Sequence, residues 1–221
     1  MRRILFTIAI LLFSWNVFSQ GIQFETGSWK EVLQKAKQEN KLVFVDLYTT
    51  WCGPCKKMAA ETFPQQTVGD YFNKNFVNYK IDAEKGEGPG LAGKYEVSAY
   101  PTLVFVNAEG ELVYKFMGVR TADKLIAEGE KAVRLHALAP RIAAMEKEYE
   151  QGKRGKVFLG EYYALLKESG AGGGVVLNEY LKCLSDEELL LEENVNNIGN
   201  ISIFDPVLFD RLVKGIKKVE G

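Results

Sequence analysis

Two cysteines separated by two residues, Cys52 and Cys55 with Gly53-Pro54 between them, constrain this chain more than any other feature. The run before them, Leu42 to Leu47 (LVFVDL), is apolar except for Asp46, the pattern of a strand buried on both faces of a parallel-type sheet. The run after them, past Met58 and Ala60, predicts a helix that starts near Cys52. Pro54 falls in its first turn, where a missing N–H costs little. At such a corner the first sulfur lies near the unpaired N–H groups and the positive dipole end of the helix, which favours thiolate over thiol. Cys55, one turn in, is expected to be more buried and a poorer nucleophile. That asymmetry suits disulfide exchange, in which one sulfur attacks and the other resolves.

Composition narrows the alternatives. The 221 residues hold three Cys and one His. A zinc site would need two more ligands beside the C-x-x-C pair. Only Cys183 and His136 remain, both far along the chain. A purely structural disulfide across two residues is strained and adds little stability. In a strand–helix–strand context, C-x-x-C reads as a redox motif. The net charge of -1 lacks the basic excess of a nucleic-acid binder. With 47% hydrophobic residues the chain can bury a real core. No metal, cofactor or nucleic acid is expected.

Residues 1–19 have the form of a signal peptide. Arg2-Arg3 is followed by the apolar run Ile4 to Phe13, with a cleavage site before Gln20. The apolar run is shorter than the ~20 residues that span a bilayer core. Export would place the protein, in a periplasmic or other extracytoplasmic setting, where disulfides persist.

The remainder falls into two regimes, 20–137 and 138–221. In the first, Ser28 and Glu31 form a capping-box pattern ahead of a helix with Trp29, Val32, Leu33 and Ala36 on one face. A helix over Val68–Asn75 is followed by strand runs at Phe76–Ile81, Thr102–Val106 and Glu111–Phe116. A helix over Thr121–Leu135 closes a β-α-β-α-β-β-α order, an α/β fold with a mixed sheet flanked by helices. In the second, apolar residues recur only at helical spacing, as in Ile142, Met145 and Tyr149, predicting an all-α region of four or five helices. Cys183, in NEYLKCLS, is expected to be a small buried hydrophobe.

WCGPCKKM, with LVFVDLYTT before it and Tyr100-Pro101-Thr102 after it, resembles the thioredoxin family over roughly Phe24 to Leu135. The resemblance implies a thioredoxin-like sheet and several residue roles. Cys52 would be the attacking cysteine and Cys55 the resolving one. Asp46 matches the family's buried carboxylate, which can take the Cys55 proton through water. Pro101 matches a cis-proline facing the disulfide. Trp51, Gly53, Pro54, Tyr100 and Gly118 would line the substrate groove, Gly118 by letting the backbone come close. Two departures stand out. The position where the family often carries a lysine near the Asp is Asn78 here, with Lys80 two residues on and on the same face. The segment Glu84–Gly90 (EKGEGPG) is longer and richer in glycine than the family's loop and reads as surface-loop drift, with a flexible rim near the groove as the alternative.

The function implied is an exported thiol–disulfide oxidoreductase. It would act on protein thiols and disulfides, as a reductase fed by a membrane-embedded electron donor. An oxidase or isomerase of the same fold, or a helical binding or chaperone module with a secondary redox role, are the alternatives.

Overall fold

The computed structural model describes residues 21–199 and 205–220, so the expected signal peptide lies outside the described residues. The described chain forms two compact units, one up to Glu128 and the other from Gly129.

The first unit contains β1 (Phe24–Glu25), α1 (Trp29–Glu39), β2 (Leu42–Tyr48) and α2 (Gly53–Lys57), which continues into a π-helical turn (Met58–Thr62). After these come α3 (Gln66–Asn75), β3 (Phe76–Asp82), α4 (Gly88–Lys94), β4 (Thr102–Val106), β5 (Leu112–Met117) and the start of α5 (Ala122–Glu150). The sheet order is β1-β3-β2-β4-β5. β3 runs parallel to β1 and β2, because a helical crossover links β2 to β3. β4 is antiparallel to both β2 and β5. This is the expected mixed sheet with helices on its faces.

Strand alternation sorts the core into two layers. Val43, Val45 and Leu47 of β2 point to one face and pack with Val32 and Ala36 of α1 and with Leu91 and Tyr95. α1 is held there by its capping box: the Ser28 hydroxyl accepts from the Glu31 N–H, and the Glu31 carboxylate accepts from the Ser28 N–H at 2.8 Å. Phe44 and Asp46 point to the other face. Phe44 sits among Phe72, Phe105 and Phe63 with ring centroids 4.7, 5.2 and 6.4 Å away.

Several details differ from the sequence expectations. β1 is two residues long and too short to leave a periodic signal. Part of the glycine-rich segment read as loop is α4. Pro89 presets the first turn of that helix. Gly88 is required sterically, since a Cβ there would lie 1.9 Å from the Asp82 carbonyl oxygen. α5 runs unbroken to Glu150 with Pro140 inside it, where two helices were expected. The two units part at Glu128/Gly129, whereas the composition shift placed the division at 137/138.

The second unit is all-helical, as expected. It comprises the rest of α5, α6 (Lys156–Ser169), α7 (Gly174–Lys182), α8 (Asp186–Leu189), α9 (Glu192–Ile198) and α10 (Pro206–Glu220). Its core includes Met145, Phe158, Leu159, Tyr162, Leu177, Leu181 and Leu208. Cys183 is not in that core: it is an exposed free thiol. α7 and the residues after it bury Leu177, Leu181 and Leu184, and position 183 falls off that stripe. Among the described residues no helix is long and apolar enough to cross a membrane.

Phe44 is fully buried between β2 and the aromatic layer. Phe44→Ala should therefore lower the stability of the first unit by about 3–5 kcal/mol. Denaturant unfolding followed by tryptophan emission measures this; a loss below about 1 kcal/mol would contradict the packing described.

Candidate active site

β2 delivers the site. It ends at Tyr48, whose carbonyl accepts the Ala83 N–H at 2.8 Å, tying the β3–α4 turn to the strand end. The chain then turns, with the Cys52 N–H donating to Thr49 O at 3.2 Å. Cys52 is the N-cap of α2, and its Sγ accepts the Cys55 backbone N–H at 3.0 Å. Cys52 and Cys55 form a disulfide with an S–S distance of 2.06 Å. The expected difference in burial is absent, because both residues are 3% exposed. The asymmetry lies in position instead. Only the Cys52 sulfur takes an amide hydrogen bond at the helix start, and such a bond strengthens when the acceptor is charged.

Asp46 is 1% exposed in the middle of β2, and neither carboxylate oxygen accepts a hydrogen bond. Burial pushes its carboxyl up to about 6, opposed by the positive charge of Lys80. Lys80 lies directly opposite Asp46 in the parallel register, with Nζ 3.5 Å from Oδ2. The ammonium also lies over the rings of Tyr48, Phe63 and Phe24 at 4.7, 5.7 and 6.0 Å. Asn78 is used differently. Its side-chain N–H donates to Gln23 O at 3.3 Å and to Asn73 Oδ1 at 3.1 Å, pinning the segment that leads into β1. The cation beside Asp46 therefore comes from position 80. A cavity of about 250 Å³ lined by Cys55, Lys80, Tyr48, Thr49, Thr50 and Ala59 leaves room for water between Cys55 and the lysine that pairs with Asp46.

The rim combines a fixed aromatic side with open backbone. Trp51 is 65% exposed, and its ring meets the edge of Tyr100 at 6.0 Å and 85°. The Tyr100–Pro101 peptide is cis. Pro101 O accepts the Gly118 N–H at 2.9 Å. Gly118 has φ +89°, and a Cβ there would meet only the Arg120 guanidinium at 3.8 Å. The left-handed backbone, more than a close approach, is what requires glycine at this position. Gly53 and Pro54 are exposed beside the disulfide.

Sequence reasoning missed Glu84, whose carboxylate accepts the Trp51 Nε1–H at 3.0 and 3.1 Å. It also missed Met117, an exposed apolar side chain one residue before Gly118. Met117 sits in a strand run whose pattern could have marked it, whereas Glu84 sits in a turn and had no signal. Among the described residues no group of three or more His, Cys, Asp or Glu is placed to hold a metal ion.

Comparison with known proteins places the first unit's sequence in a known family. The Thioredoxin family model matches residues 21–131. A thioredoxin-like protein of Synechocystis is 38% identical over 88 residues, 40% of this chain and 78% of that protein. A thioredoxin of Staphylococcus epidermidis is 39% identical over 90 residues, 41% of this chain and 81% of that protein. The solution structure of a candidate disulphide-isomerase from Bacteroides thetaiotaomicron is 49% identical, covers 52% of this chain and 95% of its own, and has a TM-score of 0.48. The fold and the paired cysteines define a thiol–disulfide oxidoreductase. The chain belongs to the thioredoxin family.

The raised Asp46 pKa links stability to pH. The folded pKa of about 6 lies above the ordinary aspartate value of 3.8, so the folded state holds the proton more tightly. That contribution is fully present below pH ~4 and is lost as pH rises through ~6, a fall of about 3 kcal/mol. Asp46→Asn should remove this fall and leave the disulfide form more stable than wild type at pH 8. Urea unfolding across pH 4–8 checks it; a variant no more stable at pH 8 would refute burial as the cause.

Proposed function

We propose that this oxidoreductase is exported and reduces disulfides in client proteins. The observation that carries the reading is the position of the Cys52–Cys55 disulfide, at the N-terminus of α2 and at the end of the strand that buries Asp46. In the reduced protein, the Cys52 thiolate attacks a client disulfide. A Cys52–client bond forms and the first client sulfur leaves as a thiolate. Asp46 takes the Cys55 proton through water, near the pH where its raised pKa makes it an effective base. The Cys55 thiolate then attacks the Cys52 sulfur, and the second client sulfur leaves. Two electrons pass to the client and the Cys52–Cys55 disulfide remains.

Trp51, Tyr100, Pro101 and Gly118, with Gly53 and Pro54, form the surface that receives the client. The leader-like residues 1–19 support export. An exported reductase must be re-reduced by a dithiol, which we assign to a membrane-embedded donor, since the cytosolic thiol pool lies across the membrane. The Gly-Pro pair between the cysteines supports the reducing direction. The helical second unit supplies a surface for the client or the donor.

Cys55→Ser blocks the resolving step, so it should accumulate clients as mixed disulfides on Cys52 that dithiothreitol releases. Wild type should reduce insulin disulfides, and Asp46→Asn should slow that turnover by roughly 100-fold near neutral pH. Absence of both trapping and insulin reduction would refute the reading. Equilibration of the Cys52–Cys55 pair with glutathione tests direction: a potential close to that of a strong oxidant would replace reductase by oxidase.

A further inference from the structure

We propose that Glu84 is a positioning residue that holds the Trp51 indole as a ready-made docking platform for the client. The inference rests on the client-reducing role proposed above. Trp51 immediately precedes Cys52, and at 65% exposure it offers a large apolar ring beside the disulfide. An exposed side chain of that size ordinarily samples several rotamers. Here it is held from two sides. Both oxygens of the Glu84 carboxylate accept its Nε1–H, at 3.0 and 3.1 Å, and the Tyr100 ring packs against it edge to face.

The turn that carries Glu84 is itself anchored. The Glu84 N–H donates to Asp82 Oδ1 at 3.1 Å, and the Ala83 N–H donates to Tyr48 O at 2.8 Å. Gly88 closes the turn by packing directly on the Asp82 carbonyl, where any larger residue would clash. The glycine-rich segment is thus a tethered support, and the support reaches the one exposed tryptophan next to the reactive sulfurs. Tryptophan anchors dominate many interfaces, and fixing one before contact removes the ordering cost from binding. Glu84 touches neither the client's sulfur nor the protein's own; it acts through Trp51.

The test compares wild type with Glu84→Gln, Glu84→Ala, Trp51→Phe and the Glu84→Ala/Trp51→Phe double variant. Readouts are the Trp51 indole N–H resonance with its hydrogen exchange, and steady-state reduction of insulin. Glu84→Gln keeps an acceptor oxygen, so its indole resonance should stay protected and its KM within about twofold. Glu84→Ala should lose the protection and raise the KM for insulin roughly three- to tenfold with a smaller change in kcat. Trp51→Phe keeps a ring but cannot donate; removing Glu84 from it should cost nothing further, so the double variant should match the single. An unchanged KM and an unchanged indole signal in Glu84→Ala, with wild type reducing insulin, would overturn the inference alone. Additive losses in the double variant would overturn it as well. No insulin reduction by wild type would overturn the reductase reading first, and the platform role with it.

Discussion

A carboxylate in the middle of the sheet sets the terms for this structure. Asp46 lies on β2, which is hydrogen-bonded on both sides and covered on both faces. Its oxygens accept no hydrogen bond from the described residues, and their close compensation is an ammonium 3.5 Å away. Removing a charge from water costs several kcal/mol, and one imperfect ion pair recovers only part of it. The carboxyl meets the difference by holding its proton to a higher pH. A group that is costly to the fold thereby titrates closer to neutrality than an ordinary carboxyl, the range in which the proton transfer proposed for it would operate.

The same strand imposes the geometry around the disulfide. Because β2 is fixed by both neighbours, its end is a rigid mount. The turn after it places Cys52 as a helix cap, and the β3–α4 turn is tied to it through Tyr48 O. Two groups of side chains surround this mount. On one side lie the buried Asp46 carboxyl, the ring-surrounded Lys80 and a cavity lined by Cys55 and Lys80. On the other lies an exposed aromatic rim clamped by Glu84 and Tyr100. In the proposed mechanism, proton handling and client contact would therefore fall to different side chains, joined through the two sulfurs.

The helical unit follows a plainer logic. Three- and four-residue apolar spacing buries a continuous core from Met145 to Leu212, and its capping and ion pairs are of the ordinary surface kind. The matched family residues end at 131, so all of this unit after its first few residues lies beyond what the thioredoxin family model describes. Its Cys183 is an exposed free thiol.

Local sequence determined much of this. The apolar run of β2, the proline in the first turn after Cys52, the Ser28–Glu31 box and the two halves with different periodicity were all legible. These features depend on neighbours one to four residues apart, and strand alternation, helix periodicity and capping act over that range. The paired cysteines likewise announced their chemistry by spacing alone. Tertiary structure decided the rest, because it depended on residues far apart in the chain. That Lys80 and not Asn78 faces Asp46 follows from the β2–β3 register. That Glu84 clamps Trp51 follows from a turn 33 residues later being tied to the end of β2. α4 hid in a glycine-rich run because its first glycine answers a carbonyl from another element. Cys183 looked buried because an apolar sequence does not say which side of a short helix meets the core. Spacing along the chain fixed the reagents, and pairing across the sheet decided which groups surround them, since charge, burial and hydrogen bonding act through space.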